Sequence, residues 1–455
     1  MDEHRNLAFI LRLPDELLES IICSIFSVKV CQSSPYIRSY YDRHETRFGM
    51  MASLCLVCRR LYALSMPYLY ADLIVACGLG SVQPGSVTKL LHRSCRRNPS
   101  LWPLCRRLIV HYRDDLHARD LNKPGNPLYY VAIDLTAWLV ETRCFVLFGM
   151  GDDERGWDLL RQALTSFRSL TELALVHGDS YRIDYLRVLE TLDELGWSQI
   201  RTLALDGVFT GGSLSERKWR TAPFTMLKIR SFMETPQRLE DLVRRPAVLE
   251  HFDLQFTFGS CYGVMGAYHE WSLAILQPIL AIHCHTLRAI KIRCINVGGL
   301  SGFDLRSFER LEELTLSSAA TGHAYRKYSA DDHLLANLLA PRLRRFYWDL
   351  TLEDQQCCES LADFGLAEQS WLRALACAAT RQQCQLQEIG IKYTPDGAYD
   401  CDMEYPWDRM DALDRELEPN GIRVSYNPPS ISREEYLVIR EKAMAWKRVI
   451  ELGDG

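Results

Sequence analysis

The chain has 455 residues, 47% of them apolar and 24% charged, so it can bury a large core and is not an intrinsically disordered polypeptide. Its formal net charge of −5 supplies no electrostatic footprint for nucleic acid, which asks for a strongly basic face. No run reaches the ~20 apolar residues that span a bilayer, and the apolar run at 7–11 is too short for a signal peptide, so an intracellular, soluble protein (cytoplasmic or nuclear or both) with reduced cysteines is expected.

The first predicted helix opens at Pro14, whose missing N–H would be unpaired at a first helical position anyway. Asp15 and Glu16 place negative charge at the positive end of its dipole, and Leu17, Leu18, Ile21, Ile22 and Ile25 recur at helical spacing. A second helix is read over 52–64, with Leu54, Val57, Leu61 and Leu64 as its stripe, followed by Pro67-Tyr68-Leu69-Tyr70. Helices this short cannot bury such stripes alone. Between them the polar and aromatic stretch 27–49 reads as an inserted surface loop, tolerable because loop closure grows costlier only slowly with length.

These residues resemble an F-box: Leu13-Pro14, paired Leu17-Leu18 and Ile21-Ile22, then Leu54-x-x-Val57-Cys58-Arg59, with a Pro67-x-Leu69-Tyr70 ending of the fungal type. The insertion 27–49 departs from the family, which has a short turn there. The resemblance implies docking on the adaptor of an SCF-type cullin–RING ubiquitin ligase, and through it on a cullin. The residues it points to are Leu13, Pro14, Leu17, Leu18, Ile21, Ile22, Leu54, Val57, Cys58 and Leu61, some of which must instead hold the two helices together. Without the family, the same pattern reads as two core helices of an all-α domain.

From about residue 100 a phrase Leu-x-x-Leu-x-Leu recurs. Clear copies start at Leu170, Ile200, Leu249, Leu287, Leu311 and Leu386; weaker ones start at Cys105, Phe224 and Leu343, and 144–148 and 421–424 read as further strands. Successive starts from 170 to 386 lie 24 to 43 residues apart, the irregular period of a solenoid with loop insertions. Helices are predicted between them at 157–164, 186–195, 239–244, 271–283, 331–339 and 369–380. One strand and one helix per unit resembles a degenerate leucine-rich repeat, although the Asn or Cys that normally follows the strand is mostly missing. The alternative is a conventional α/β domain with buried parallel strands. By strand alternation, residues such as Leu173 and Leu175 point inward and their neighbours outward onto a concave face. That outward set includes Lys228, Arg230, His251, Asp253, Lys291, Arg293, Arg345, Tyr347, Asp349 and Lys392. Basic residues outnumber acidic ones there, so Lys228, Arg230, Lys291, Arg293, Arg345 and Tyr347 are the candidate substrate-binding residues, suited to an acidic or phosphorylated peptide unless their charges pair across strands.

After Asn427-Pro428-Pro429 the array should stop. Ser432-x-x-Glu435 is a capping box, and Tyr436, Ile439, Ala443, Trp446 and Ile450 form the stripe of a C-terminal helix, either a cap on the array or a partner-binding helix. No constellation of acid, base, nucleophile or metal ligands converges. Cys55-x-x-Cys58 has no second pair at zinc-ligand spacing, and His283-Cys284-His285 and Cys357-Cys358 read as structural. The glycine-rich 259–266 lacks the Gly-Lys-Ser/Thr of a phosphate loop. The expectation is a mixed α/β chain: an F-box domain at 8–75, an irregular leucine-rich-repeat solenoid of parallel strands and helices at 100–428, and a C-terminal helix at 429–455. It should need no metal or cofactor and be no enzyme, serving either as the substrate-recognition subunit of the ligase or as an interaction scaffold outside it.

Overall fold

The structure, a computed structural model, describes residues 11–26, 48–76, 84–112, 127–150, 154–177, 183–196, 199–209, 218–232, 234–255, 271–293, 299–317, 319–321, 331–351, 364–394 and 404–453. The chain divides into two units, Met1–Tyr181 and Arg182–Gly455. Most of the insertion read at 27–49, the glycine-rich 259–266 and Cys357-Cys358 lie outside the described residues.

Among the described residues, the first unit begins with three helices: α1 (Asp15–Phe26), α2 (48–55) and α3 (Arg59–Ala71). The sequence reading of one helix over 52–64 is corrected here. The chain turns at 56–57, where Leu56 N–H donates to Ser53 O and Val57 N–H to Leu54 O. Cys58 then caps α3 from an extended backbone (φ −161), its Sγ accepting from Leu61 N–H at 3.5 Å. The break puts Val57 and Leu61 on different elements. Leu18, Ile22, Met51, Cys55, Leu61 and Leu69 form the small core that joins the three helices. Arg60 clamps the start of α1: its guanidinium donates to Leu11 O, Leu13 O and Asp15 Oδ1, each at 2.6 Å.

From α3 the chain runs straight into β1 (Asp72–Ala76), a strand the sequence reading did not identify. It is followed by α4 (Pro84–Arg97), β2 (Arg107–His111), α5 (Pro127–Trp138), β3 (Cys144–Met150), α6 (Glu154–Ser166) and β4 (Glu172–His177). The strands pair in parallel in that order. Parallel pairing requires a crossover between consecutive strands, and α4, α5 and α6 lie in those crossovers.

The second unit repeats this plan. Its short strands β5 (Ile183–Asp184) and β7 (Val208–Phe209) pair in parallel beside α7 (Tyr185–Leu195) and β6 (Thr202–Asp206). Then come β8 (Met226–Arg230), α8 (Pro236–Arg244), β9 (His251–Gln255), α9 (Leu273–Ala281), β10 (Ala289–Arg293), β11 (Glu313–Ser317), α10 (Asp332–Asn337), β12 (Arg345–Leu350), α11 (Leu366–Arg381), β13 (Glu388–Tyr393), α12 (Pro406–Leu417), β14 (Arg423–Tyr426) and α13 (Arg433–Gly453). Strands β6 and β8 to β14 pair in parallel without a slip in register. Every phrase read in the sequence from 105 onward overlaps one of these strands or those of the first unit.

The apolar residues of the phrase stack in register. Leu203, Leu227, Phe252, Ile290, Leu314, Phe346, Ile389 and Val424 form one line of aligned positions, and each is at least 96% buried. Each strand starts with two consecutive N–H groups converging on one carbonyl of the preceding unit: Glu250 and His251 on Thr225 O, Arg288 and Ala289 on Glu250 O, Glu312 and Glu313 on Arg288 O, Arg344 and Arg345 on Glu312 O. A unit therefore completes its core and its backbone pairing only through its neighbours, as in a stacked repeat array.

At the end of the array side chains complete backbone pairing. Asn427 accepts from Tyr393 N–H at 2.6 Å and donates to Tyr393 O at 2.8 Å, while Asp414 Oδ1 accepts from Val424 N–H at 2.6 Å. The capping box of α13 forms as read: Ser432 N–H donates to Glu435 Oε2 at 2.8 Å and Glu435 N–H to Ser432 Oγ at 3.2 Å. Its buried face differs from the expected stripe, because Ile439 is exposed and Arg440 is buried four residues after Tyr436. The side chains of Ala443, Trp446 and Ile450 lie outside the described residues.

Candidate functional site

In the first unit the core sorts the residues singled out by sequence. Leu18, Ile22 and Leu61 are buried and hold the helices together. Leu13, Leu54 and Cys58 are half-buried against the same core, Leu13 held by the Arg60 clamp and Cys58 by its capping role. Pro14 is exposed. Leu17 and Ile21, one turn apart on α1, are 52% and 40% exposed, and Val57 is 50% exposed. Three further apolar side chains that the sequence reading passed over are also open: Leu56 at 87%, Met50 and Tyr62. Leu56 gives no signal in the sequence because it stands off any helical stripe, in the turn between α2 and α3. Six of the fourteen exposed large apolar side chains among the described residues thus sit on this short helical segment. A stripe half turned inward and half left open is more than the core of the segment needs, and such concentrations mark interaction surfaces.

In the second unit the outward residues of the strands form three rows across the sheet. The first runs Met226, His251, Ala289, Glu313, Arg345, Glu388, Arg423. Its charges alternate and pair across strands, Arg345 with Glu313 at 3.0 Å and Arg423 with Glu388 at 3.7 Å, and part of it borders a recess also lined by Arg288 and Glu312. The second row is Lys228, Asp253, Lys291, Thr315, Tyr347, Gly390. Tyr347 lies down over Gly390: a Cβ on that glycine would fall 2.0 Å from Tyr347 Cδ1, so only glycine leaves room for the ring. The third row has Arg230, Gln255 and Arg293 at one end and Ser317, Asp349 and Lys392 at the other.

The structure therefore brings Lys228, Arg230, Lys291 and Arg293 onto neighbouring strands with Asp253 between them, as the spacing requires. Depth is where it departs from the sequence reading. Lys228, Arg230, Lys291 and Tyr347 are half-buried and Arg345 is exposed, but Arg293 is only 4% exposed and Asp349 only 2%. Alternation assigns a face and says nothing about how deeply a side chain sinks into it. Asp253 stands 3.8 Å from Lys291 Nζ and 3.7 Å from Arg293, near both cations and beyond hydrogen-bond distance of either. Burial pushes the Lys291 ammonium below the usual lysine range, Asp253 opposes that shift, and Arg293 and Lys392 add to it. Asp349 is occupied by Thr351, whose hydroxyl donates to it at 2.8 Å.

The remaining chemically suggestive residues are structural. His283 Nε2 lies 2.9 Å from Val243 O, and burial lowers the pKa of its ring. Cys55 is in the helical core. Asp331 caps α10, and Asp332 takes both terminal nitrogens of Arg381 at 2.8 Å. Among the described residues no three His, Cys, Asp or Glu side chains gather as a metal site, and no helix is long and apolar enough to cross a membrane.

No protein-family model matches this sequence, and no curated protein matches it. Solved structures align with it at low similarity. The leucine-rich repeat-containing protein LegL7 from Legionella pneumophila aligns over 66% of this chain and 90% of its own, with 15% identity and a TM-score of 0.37. A protein from Bacteroides fragilis aligns over 77% and 73%, with 12% identity and a TM-score of 0.31. At these scores neither likeness adds to what the strand register itself shows.

Proposed function

We propose that this chain is a non-enzymatic substrate receptor of an SCF-type cullin–RING ubiquitin ligase, its N-terminal helices docking on the adaptor and its repeats holding a target protein. Catalysis would then come from proximity within the assembly, with no reacting residue in this chain. The observation that carries this reading is the apolar surface left open on α1 and the α2–α3 turn. Leu17, Ile21, Leu56 and Val57 are exposed beside Leu18, Ile22 and Leu61, which already complete the core. Together with the Leu-Pro and Val-Cys-Arg spacing, that division of one stripe suits a partner helix. Interface energy concentrates in a few such anchors, each worth roughly 2 kcal/mol or more.

The test is capture of the purified adaptor by the full chain and by a Leu17→Asp/Val57→Asp variant. Both positions are exposed, so the variant should keep its melting temperature and lose capture. Undiminished capture by the variant sinks the docking assignment. Failure of the unaltered chain to capture the adaptor would favour a repeat-based interaction scaffold working outside the ligase.

A further inference from the structure

Three buried polar atoms of the second unit that have no hydrogen-bond partner lie together at one place on the outward face. Arg293 is 4% exposed, yet its Nε has no hydrogen-bond partner. Asp253 Oδ1 and Gln255 Oε1, on the neighbouring strand, are likewise buried and unpartnered. The register makes these groups one patch: Gln255 lies directly beside Arg293, and Asp253 directly beside Lys291. A buried charge without a hydrogen-bonded counterion is costly, and the neighbouring Asp253 approaches no closer than 3.7 Å. Around Lys291 stand Arg293 and Lys392 on one side of the ledger and Asp253 and Asp349 on the other. Three cations against two carboxylates leave positive charge around Lys291, and β8 adds Lys228 beside Asp253 and Arg230 beside Gln255. Asp349 is further engaged by the Thr351 hydroxyl.

We propose that Arg293 and Lys291 receive one carboxylate from an acidic polypeptide segment of a partner protein, whose N–H groups are taken by Asp253 Oδ1 and Gln255 Oε1. This rests on the reading of the repeats as the target-holding part and names the chemistry of what they hold. The donor Nε of Arg293 matches a carboxylate oxygen, and an arginine fork can take both oxygens. The two orphan acceptors on β9 match the amides that accompany any peptide carboxylate. The surplus positive charge fits the carboxylate of an Asp or Glu side chain or of a chain terminus, with the neighbouring peptide amides meeting the two acceptors.

The experiment uses the full chain and three fluorescein-labelled peptides of alternating glycine with glutamate, glutamine or phosphoserine, read by fluorescence anisotropy at low and high salt. The glutamate peptide should bind in a salt-sensitive way and the glutamine peptide should not. Arg293→Gln should weaken binding on the order of thirtyfold or more, as for loss of one partner of a buried charge pair, while Arg423→Gln, at the exposed end of the first row, should not. Thermal melting separates a ligand role from a structural one. A cation held for a ligand should leave the melting temperature of Arg293→Gln unchanged or raised, whereas a structural arginine would lower it. Should Arg293→Gln fail to fold, Lys291→Gln and Arg293→Lys carry the same comparison. Equal binding of the glutamate peptide by folded wild type and Arg293→Gln overturns the proposal, as does no binding by wild type. An Arg293-dependent preference for the phosphoserine peptide overturns the single-carboxylate assignment. Adaptor capture is measured on the same proteins: capture with no peptide binding rejects this inference alone, and peptide binding with no capture rejects the ligase role alone.

Discussion

Two single residues carry consequences that can be measured directly. His111 is 7% exposed and stacked on Phe148 with ring centroids 4.3 Å apart, and burial lowers its pKa to about 3 from an ordinary 6.5. Its folded pKa lies below its unfolded one, so between about pH 6.5 and pH 3 the unfolded state binds the extra proton. Stability contributed by the neutral ring is therefore complete above pH 6.5 and is lost as pH falls through that window, at roughly 1.4 kcal/mol per unit. His111→Phe should flatten the acid limb of the stability–pH curve measured by denaturant titration; an unchanged limb would remove His111 as its source. Gly390 is the second residue. Gly390→Ala forces the Tyr347 ring off the strand and should cost about 1–3 kcal/mol by overpacking. In Tyr347→Ala the same change should cost almost nothing, and the difference in the double-mutant cycle is the coupling that the contact predicts.

At the scale of elements, the ends of strands and helices are held by side chains doing backbone work. Asn427 closes the N–H and C=O of Tyr393, a residue with no exposed surface. Asn427→Ala leaves both groups unpaired and should cost on the order of 1–3 kcal/mol, read as a drop in melting temperature with faster exchange of the Tyr393 amide. The cap of α7 is similar in kind and smaller. Asp184 Oδ1 accepts from Leu186 N–H at 3.0 Å and Arg187 N–H at 3.5 Å, so Asp184→Ala should cost about 1 kcal/mol. Element boundaries were only partly legible in the sequence. Strands were readable because the phrase contains them, and Ser432 with Glu435 announced the start of α13. The turn at 56–57 was not readable, because Leu54, Val57 and Leu61 keep helical spacing straight across it. Strand β1 was missed because Leu73-Ile74-Val75 follows the α3 helix without a turn residue and lies outside any copy of the phrase.

For a molecule built by stacking, the second unit should respond to damage by proximity. Leu314 lies between β10 and β12 and has no exposed surface. Leu314→Ala should cost about 2–5 kcal/mol, and hydrogen exchange should show protection lost first in β10, β11 and β12. Equal loss in β6 and β14 would show that the unit opens only as a whole, against the nearest-neighbour behaviour of repeat arrays.

What the sequence determined by itself was the repeat. An apolar pattern of period two inside a longer period suits stacked parallel strands, so the positions and inward residues of the strands that carry the phrase were readable from spacing, while the short β5 and β7 were not. The residue types at the N-terminal helices likewise pointed to a small core with surface to spare. Only the tertiary structure decided which half of that stripe is core, because Leu17 and Leu18 are equally apolar and differ only in which way α1 turns them. It also decided that Arg293 and Asp349, outward by alternation, sink deep into that face, since alternation specifies direction while depth depends on every neighbouring side chain. The charge of the Lys291–Arg293 patch is a property of residues drawn from several strands and more than a hundred positions of chain, and only the register brings them to one place.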